Sequence, residues 1–397
     1  MKVIFGSANH WTSPYQVGSH AWARLFARNG FDVAYVSDPV TPWHWLEQKN
    51  WSRTWERFAL WQGGGVLEED GRLRAWTPLS FISPRNSPFF RSNWALHRWS
   101  SFGFPSAETK LRQWGFESPD ILWLDSVRHA GWGRALGPKI TVLRVADWNA
   151  GFEAVPGSAL DLEREMIGEC DLVIASARSL EEQIKPLRNG RPLTTIRNGV
   201  DVSFWNRPSS LPEEYARIPA PRVVYVGAMD QWFDVNLLFE LARALPKISF
   251  VLIGQRRFSL PGANLPSNVY WLGSRPRDQV RGYLQHAQVG MIPFRRNELV
   301  ECVCPLKLYE YMACGLPVVA TRWRELKYMN SPALLAGDAD EWVAHLQTLI
   351  APSGQRSGLS NGRKGELLDY ASQNDWKQRW QQWQVTYKTL YFTSQNL

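Results

Sequence analysis

The stretch Cys302-Val-Cys-Pro-Leu-Lys-Leu-Tyr-Glu-Tyr-Met-Ala-Cys-Gly-Leu-Pro-Val-Val-Ala-Thr321 decides the fold of this chain. Pro305 suits the first turn of a helix, because the N–H that it lacks would have no partner there. Gly315 offers this helix a C-terminal cap, and Pro317 prevents its continuation. The apolar residues 318–320 then predict a short buried strand. The stretch therefore predicts a helix–strand junction of an α/β fold.

This short helix carries opposite charges on one side. Lys307, Glu310 and Tyr311 are spaced by three and four residues and therefore share a side. A cation and a carboxylate beside a free helix N-terminus can bind a phosphorylated, hydroxyl-rich ligand. A surface ion pair on a connecting helix would have the same spacing, and spacing alone favours that plainer interpretation.

Size, charge and cysteine content limit the class of protein. The chain has 397 residues, enough for two domains with a core each. Its net charge of +8 favours acidic partners such as phosphates, nucleotides or anionic lipid surfaces. Because the basic residues form no long run, we expect no nucleic acid partner. The cysteines match neither a disulfide framework nor a zinc site, so we expect reduced thiols at Cys170, Cys302, Cys304 and Cys314.

Two features bear on membranes. The N-terminus lacks the apolar core of a signal peptide, and no apolar run approaches the roughly 18 residues that span a bilayer. We therefore expect a cytoplasmic protein. Tryptophan is frequent, however, with 22 residues, 14 of them between Trp11 and Trp148. The Trp/Arg-rich region 43–114 either lies against the anionic inner membrane face as a peripheral contact or fills the core of a loop-rich insert.

Strands and helices alternate in two series, one on each side of a Pro/Ser-rich segment. This pattern predicts an α/β protein of two Rossmann-like, doubly wound parallel-sheet domains that face each other across a cleft. The Pro/Ser-rich segment predicts the linker between them. A C-terminal helix carries an apolar stripe, which is most simply a docking face. We expect an N-terminal domain at 1–205, a linker at 206–221, a second domain at 222–370 and a C-terminal helix at 371–397 that packs back toward the N-terminal domain.

In the first half, polar residues follow predicted strands at the edge where open α/β sheets bind ligands. Gly18, Ser19 and His20 open the helix after the first strand, although the loop lacks the spacing of a dinucleotide site. Asp147 follows the predicted strand 140–146. It could cap a helix, or it could take a proton from an incoming hydroxyl group.

The second half repeats this arrangement with small and basic residues. Segments 227–229 and 254–257 each follow a predicted strand, and the helix of Lys307 and Glu310 follows another. Positive groups here can stabilise a leaving phosphate, which suits group transfer from a nucleotide-linked donor. Taken alone, Arg256 and Arg257 could equally form a solvated turn.

The arrangement Pro305-Leu-Lys-Leu-Tyr-Glu310 followed by Gly315-Leu-Pro-Val-Val-Ala320 resembles the donor-site signature of two-domain bacterial glycosyltransferases, the GT-B fold. The segments Arg197-Asn-Gly-Val-Asp201 and Val226-Gly-Ala-Met229 are placed as in that superfamily. The resemblance covers most of residues 120–395. Within the superfamily the chain resembles glycosyltransferase family 4 and enzymes of the xanthan glucuronosyltransferase and teichuronic acid glycosyltransferase type.

The resemblance implies a role for each candidate residue. Glu310 would bind the ribose hydroxyls of the nucleotide, and Lys307 would bind its diphosphate. Asp147 would be the general base for the acceptor hydroxyl. The N-terminal domain would bind the acceptor, with Gly18, Ser19 and His20 on the acceptor side. The remaining donor-binding residues would be Gly227, Met229, Gln255, Arg256 and Tyr311.

Two departures from family 4 are visible. The glutamate that many of these enzymes carry eight residues before the equivalent of Glu310 is replaced by Cys302. The usual arginine and lysine after the first donor-domain strand are replaced by Gln231-Trp-Phe-Asp234. Lys307 then becomes the principal phosphate-binding cation. These departures put in doubt the retaining mechanism common in family 4. The resemblance to family 4 favours retention, whereas Asp147 favours inversion.

The resulting prediction is a hexosyl-type glycosyltransferase that needs no metal and no cofactor. The D-x-D sequence Asp338-Ala-Asp340 precedes a helix and is expected to cap it rather than bind an ion. The donor is a nucleotide sugar, expected to be UDP-linked. The acceptor is a glycan, expected to be lipid-linked, in cell-envelope or exopolysaccharide synthesis. Alternatives are a nucleotide-sugar epimerase, which would not need an aromatic acceptor surface, and a non-catalytic sugar-binding protein.

Overall fold

The structure, a computed structural model, describes residues 1–13, 16–46, 51–82, 92–152, 155–257, 265–350 and 361–395. The chain divides into two compact units. The first unit contains Met1–Arg197 together with Trp380–Leu397, and the second contains Asn198–Arg379. The first unit thus ends before the predicted boundary at 205. Parts of the Trp/Arg-rich region, residues 47–50 and 83–91, lie outside the described residues.

The first unit is built on an eight-stranded sheet in the order β3-β4-β2-β1-β5-β6-β7-β8. All neighbouring strands are parallel except β3 and β4, which pair antiparallel. The predicted parallel sheet is therefore present, with one antiparallel strand added at its edge, where Glu69, Asp70 and Gly71 all have positive φ and reverse the chain in a tight turn. The strands are β1 Lys2–Ser7, β2 Asp32–Ser37, β3 Val66–Glu68, β4 Leu73–Trp76, β5 Ile121–Leu124, β6 Ile140–Val145, β7 Leu172–Ala175 and β8 Leu193–Thr195.

Helices cover this sheet and bury an aromatic core against it. Trp123 of β5 packs at 5.2 Å, centroid to centroid, from both Trp22 and Trp383. Phe26 packs edge-on at 5.0 Å against Trp380. Two residues of the C-terminal stripe therefore belong to the core of the first unit. Its helices are α1 Gly18–Arg28, α2 Trp51–Gln62, α3 Asn93–Arg98, α4 Ala107–Gln113, α5 Trp132–Leu136, α6 Gly157–Glu169 and α7 Arg178–Ile184.

The second unit contains a six-stranded sheet in the order β11-β10-β9-β12-β13-β14. Every neighbouring pair is parallel. The carboxyl ends of all six strands therefore lie at one edge. The strands are β9 Arg222–Val226, β10 Ser249–Ile253, β11 Val269–Gly273, β12 Val289–Ile292, β13 Val318–Thr321 and β14 Leu334–Ala336.

The helix predicted from the opening stretch is present between β12 and β13. It follows Pro305 at its N-cap and ends before Gly315, which has φ +70. The strand after it is fully buried. The α-helices that follow Arg197 are α8 Val202–Trp205, α9 Val235–Ala244, α10 Arg277–Gln285, α11 Glu298–Glu301, α12 Leu306–Ala313, α13 Arg324–Met329, α14 Ala339–Ile350, α15 Asn361–Gln373 and α16 Trp376–Gln395.

The segment predicted to be a linker, 206–221, packs within the second unit. Tyr215 is buried edge-on against Tyr283 with ring centroids 5.3 Å apart. The Arg222 guanidinium lies over the Tyr215 ring and donates to its carbonyl at 2.8 Å. The proline and serine content of this segment predicted a linker, and the buried ring of Tyr215 holds the segment against the second unit. No helix of the described chain is long and apolar enough to cross a bilayer.

Candidate functional site

Lys307 lies at the carboxyl edge of the second sheet, in the first turn of α12. Its ammonium nitrogen is 4.6 Å from the ring centroid of Phe294 and 5.0 Å from that of Tyr225. Within the described residues it has neither an ion-pair partner nor a hydrogen-bond acceptor. Burial lowers the pKa of Lys307 to about 8, while the charge of Glu310 opposes this shift. Lys307 is therefore a cation held on aromatic faces without an anionic partner.

Glu310 follows one turn later on the same side of α12. It is partly buried, and burial raises the pKa of its carboxyl, while Arg277 and Lys307 act in the opposite direction. In the part of the chain that the structure describes, its carboxylate forms no ion pair and accepts no hydrogen bond. The surface ion pair that spacing favoured is thus absent among these residues. Two opposite charges instead remain available to a ligand.

Two glycines bring the neighbouring loops under Lys307. Gly227, after β9, has φ +138, and Gly254, after β10, has φ +144. A Cβ on Gly227 would lie 3.3 Å from the Lys307 Nζ, and a Cβ on Gly254 would lie 2.0 Å from the Gly227 carbonyl oxygen. Both positions need glycine for conformation and for space. They leave backbone rather than side chains beside the ammonium group.

The loop after β9 continues the parallel pairing beyond the strand ends. The Met229 N–H donates to the Gln255 carbonyl at 2.9 Å, and the Arg257 N–H donates to the Met229 carbonyl at 2.9 Å. Gln255 itself is exposed. The Arg256 guanidinium lies 4.7 Å from the centroid of the Trp271 ring, so it stacks on an indole rather than forming a free solvated turn.

Two predicted donor-binding side chains face the interior instead. Met229 is fully buried and lines a small apolar gap with Leu252 and Trp271. Tyr311 is fully buried, accepts a hydrogen bond from the Val226 N–H at 2.7 Å, and covers Gly290, where a Cβ would lie 2.4 Å from its ring. Direct ligand contact by these two side chains is therefore not supported, since helical spacing alone does not tell which neighbours bury a residue. They support the edge that carries Lys307.

Asp147 follows β6 at the carboxyl edge of the first sheet. Burial raises the pKa of its carboxyl, and Arg144 opposes the shift. Arg144 is itself paired at 2.9 Å with Asp125, and both side chains are buried. No described residue donates a hydrogen bond to the Asp147 carboxylate. The alternative of a helix cap is not observed, because the 3-10 turn at Asn149–Gly151 has Trp148 at its N-cap.

Glu163, on α6, is a second carboxyl group beside Asp147 that the sequence did not reveal. The Asn149 amide donates to its Oε1 at 2.6 Å, which ties the turn after Asp147 to α6. Burial raises the pKa of Glu163 to about 7, and the charge of Asp147 contributes to this rise. One glutamate in an ordinary helical pattern gives no local signal, so only the fold could identify it.

The residues predicted on the acceptor side form internal contacts. The Ser19 hydroxyl lies 3.1 Å from that of Ser7 and 3.2 Å from that of Tyr35. His20 is fully buried, with its Nε2 at 3.1 Å from the His10 carbonyl, and burial lowers its pKa to about 4. Gly18 is also buried. The prediction that these side chains contact an acceptor is not supported, because they hold α1 against the sheet.

The D-x-D sequence has the structural role that was predicted. The Asp338 carboxylate accepts a hydrogen bond from the Glu341 N–H at 2.9 Å and so caps α14. No group of three His, Cys, Asp or Glu side chains in the described ranges is placed to hold a metal ion. Catalysis without a metal stays a prediction.

Residues 220–352 match the family described as Glycosyl transferases group 1. The chain carries a glycosyl transferase group 1 domain. This match covers the parallel sheet from β9 to β14, and therefore Gly227, Lys307 and Glu310. The matched range thus includes the described residues around Lys307 at the carboxyl edge of the second sheet.

Two curated relatives extend this result. The chain is 24% identical over 213 residues to the putative teichuronic acid biosynthesis glycosyltransferase TuaH of Bacillus subtilis, covering 49% of this chain and 52% of that protein. It is 30% identical over 132 residues to the UDP-glucuronate:glycolipid 2-beta-glucuronosyltransferase of Xanthomonas campestris, covering 32% of each. The chain thus aligns with about half and about a third of the length of these relatives.

Solved structures agree on the fold over nearly the whole chain. Sucrose-phosphate synthase from Thermosynechococcus elongatus superposes with a TM-score of 0.68 at 15% identity, covering 99% of this chain and 100% of that one. The Anabaena protein HepE, in complex with UDP and glucose, superposes with a TM-score of 0.64 at 15% identity, covering 98% and 100%. The fold is that of GT-B glycosyltransferases.

Arg277 is a further charged residue at the edge of the group 1 domain that the sequence did not single out. It opens α10 after β11, and its guanidinium lies 4.2 Å from the Phe204 ring centroid. Burial raises the pKa of Glu310, and the charge of Arg277 opposes this rise. A usable signal was present, because Arg277 stands just beyond the end of a parallel strand, as the predicted site residues do.

Proposed function

We propose that this protein is a glycosyltransferase that moves a hexose-type sugar from a UDP-sugar donor to a glycan acceptor. One observation carries the proposal: at the edge of a glycosyl transferase group 1 domain, Lys307 and Glu310 point to one side of α12 with neither charge paired among the described residues. Removing a charge from water without a partner costs free energy, and a bound ligand of opposite charge offsets this cost. A nucleoside diphosphate supplies both an anion for the lysine and hydroxyl donors for the carboxylate.

On the donor side, Lys307 neutralises the diphosphate as the glycosidic bond breaks, and Glu310 accepts hydrogen bonds from the ribose hydroxyls. Gly227 leaves backbone beside the lysine, so phosphate oxygens can approach closely. Gln255, Arg256 and Arg277 lie on neighbouring loops of the same unit and complete the polar edge. No metal ion is required, because the lysine and the α12 N-terminus supply positive charge.

On the acceptor side, Asp147 acts as the general base. The acceptor hydroxyl oxygen forms a bond to the anomeric carbon, the bond from that carbon to the diphosphate oxygen breaks, and UDP leaves. The hydroxyl proton passes to the Asp147 carboxylate. Burial raises the pKa of Asp147, which strengthens it as a base as long as it remains ionised at the working pH. Direct attack of this kind gives inversion at the anomeric carbon.

The relatives support the choice of substrates. The curated names include UDP-glucuronate, a glycolipid acceptor and teichuronic acid biosynthesis, and HepE was solved with UDP-glucose. We infer a UDP-sugar donor and a lipid-linked glycan acceptor in bacterial cell-envelope or exopolysaccharide synthesis. An epimerase would need no acceptor base, and a binding protein would need no unpaired Asp147 carboxyl. Both alternatives are therefore less favoured.

Exposed aromatic residues of the first unit support contact with a membrane surface. The exposed fraction is 55% for Trp55, 73% for Phe104 and 61% for Phe81. The Trp61 indole donates to the Phe104 carbonyl at 2.6 Å, which joins α2 to the segment around Phe102. We use the name aromatic strip for the exposed aromatic residues of this region, which are Trp43, Trp51, Trp55, Phe81, Trp94, Phe102 and Phe104. Other tryptophans of the region, such as Trp76 and Trp99, fill the core.

We infer that the aromatic strip rests on the anionic cytoplasmic face of a membrane, where indole rings favour the interface. Co-sedimentation with vesicles that contain phosphatidylglycerol tests this inference. The chain should sediment with them, and a Trp51→Ser/Trp55→Ser variant should remain in the supernatant. Sedimentation that is equal for both proteins would contradict membrane contact through this strip.

The donor assignment can be tested without knowing the acceptor. The chain is incubated with labelled UDP- and GDP-sugars, and release of the nucleotide is measured. A UDP-sugar should be hydrolysed slowly in the absence of acceptor, and the matching GDP-sugar should not. Hydrolysis of GDP-sugars alone would overturn the choice of nucleotide, and the absence of binding to any nucleotide sugar would overturn the proposed function.

A further inference from the structure

A group of basic side chains lies at the carboxyl edge of the first sheet, apart from Asp147. Arg57, on α2, donates to the backbone carbonyls of Asp38 and Pro39, each at 2.7 Å. Arg128, after β5, forms an ion pair at 2.7 Å with the Asp38 carboxylate. We name Arg53, Arg57, Arg128 and His10 the arginine cluster.

The charges of these side chains also affect one another's pKa values. The pKa of Arg57 is lowered to about 10, mainly by burial, and Arg128 and Arg53 contribute to the decrease. The pKa of His10 is lowered to about 4 by burial and then by Arg57 and Arg53. His10 is therefore neutral near pH 7. The guanidinium groups are close enough to repel one another, which favours binding of an additional anion.

The cluster has more donors than its protein partners use. Arg57 Nε and His10 Nε2 are buried, and neither has a hydrogen-bond partner among the residues that the structure describes. The Glu56 carboxylate is 4.0 Å from His10 Nε2, beyond hydrogen-bond distance, and it is 43% exposed. Arg53 has no ion-pair partner in the same set of residues. The three guanidinium groups of the cluster thus outnumber the two nearby carboxylates, those of Asp38 and Glu56. Arg57 Nε and His10 Nε2 have no hydrogen-bond partner among the described residues.

The strand order places this cluster next to the general base. His10 follows β1, Arg128 follows β5 and Asp147 follows β6, and these three strands are consecutive neighbours in the sheet. Adjacent strands lie about 4.8 Å apart, and Arg128 and Asp147 each follow one of two adjacent strands. A single sugar ring can span such a separation between a phosphate group and a hydroxyl group.

We propose that the arginine cluster binds the phosphate or pyrophosphate group of the acceptor, so that the acceptor is a phosphorylated sugar whose hydroxyl Asp147 deprotonates. This inference rests on the proposed function. Arginine suits the role because its planar, always charged fork makes bidentate hydrogen bonds to phosphate oxygens. A soluble sugar phosphate and a lipid-linked sugar pyrophosphate offer the same group. Trp51 and Trp55, exposed on the helix that carries Arg53 and Arg57, stand where a lipid chain could continue.

Calorimetric titration of the full chain with inorganic pyrophosphate tests the site directly. Saturating UDP is present throughout, so the donor site is already filled. Pyrophosphate should still bind the wild-type protein, and Arg128→Gln should weaken this binding at least tenfold while the UDP affinity stays within twofold. Arg57→Lys, which keeps the charge but not the fork, should show a smaller loss. Arg112→Gln, an exposed arginine of the same unit, is the matched control and should bind as wild type.

The outcomes separate this inference from the proposed function. Failure to bind UDP would overturn the proposed function. Normal UDP binding with no pyrophosphate binding beyond it, or with binding that Arg128→Gln leaves unchanged, would overturn the arginine cluster as a phosphate site. Melting temperatures of all variants show whether a loss reflects unfolding.

Two transfer assays then distinguish the sources of phosphate. One offers soluble hexose 1-phosphates, and the other offers a polyprenyl-pyrophosphate-linked hexose in phosphatidylcholine vesicles. Transfer in either assay that Arg128→Gln reduces through a raised KM, and Arg112→Gln does not, supports the inference and names the source. Equal KM values for wild type and Arg128→Gln in both assays would contradict it.

Discussion

The carboxyl edges of the two sheets are both formed by parallel strands, but they carry different side chains. At the edge of the second unit, the loops after β9 and β10 present backbone and glycine, and α12 adds Lys307 and Glu310 without partners among the described residues. At the edge of the first unit, Ser19 and His20 are used in internal hydrogen bonds. The reactive groups left there are the Asp147 carboxyl and the arginine cluster. We propose the edge of the second unit as the site of the nucleotide diphosphate and the edge of the first unit as the site of the acceptor and its base.

The comparison predicts that substitutions at the two edges have separate effects. A change at the first edge should affect transfer and leave nucleotide binding intact. A change at the second edge should affect nucleotide binding first. The predictions below test this separation, starting with the largest expected effect.

Asp147→Asn should reduce kcat for sugar transfer by about 10³-fold, since a positioned general base contributes roughly 10²–10⁴-fold. UDP affinity should stay within twofold of wild type, because Asp147 belongs to the other unit. Initial rates with a saturating UDP-sugar and a calorimetric UDP titration measure both quantities. Asp161→Asn, which changes an exposed carboxylate on α6, should behave as wild type. Undiminished turnover in Asp147→Asn would remove Asp147 from the role of base.

Gly227→Ala should weaken UDP binding by about tenfold and lower the free energy of unfolding by about 1–3 kcal/mol, because φ +138 is strained for any residue with a Cβ. The new methyl group would also lie 3.3 Å from Lys307 Nζ. Gly190→Ala is the matched control, since Gly190 has φ +80 and open space around a Cβ. It should cost stability and leave UDP affinity unchanged. If both variants bind UDP as wild type does, the contact between Gly227 and Lys307 has no role in binding.

Glu163→Gln should change how stability depends on pH. The folded-state pKa of Glu163 is raised to about 7 from its ordinary value of 4.5, so the folded protein must bury a charge as the pH rises through this window. The wild-type free energy of unfolding should therefore fall between about pH 4.5 and 7, by about 1–2 kcal/mol more than that of the variant. Urea unfolding at pH 4.5 and 8 measures the difference. Glu165→Gln, exposed on the same helix, should match wild type, and parallel curves for Glu163→Gln would contradict the raised pKa.

The sequence predicted the second edge better than the first, and the reason is physical. Pro305 and Gly315 set the limits of α12 by local backbone rules, so the side shared by Lys307 and Glu310 could be predicted without tertiary information. The burial of His20 and Tyr311 could not be predicted from the sequence, because only packing decides which neighbours bury a side chain. Glu163 was missed, and the Trp/Arg-rich region was considered only for membrane contact, because the fold alone brings Arg57 and Arg128 together at Asp38.

For the fold as well, the sequence predicted the features set by local patterns and did not predict those set by tertiary packing. Alternating strands and helices predicted two parallel-sheet units, and the structure contains them. The antiparallel β3–β4 pair depends on a turn of residues with positive φ, which composition did not reveal. The composition of segment 206–221 predicted a linker but did not reveal that its Tyr215 packs on Tyr283.

The most direct test of the central claim is a calorimetric comparison of UDP and uridine binding to wild type and to Lys307→Gln. Lys307 is proposed to bind the diphosphate, so the variant should lose about 10–100-fold in UDP affinity, equivalent to about 1.4–2.7 kcal/mol, and should bind uridine as wild type does. Lys327→Gln, which removes an exposed lysine of the same unit, should leave both affinities unchanged. Equal UDP affinity in wild type and Lys307→Gln would contradict the proposal that Lys307 binds the diphosphate.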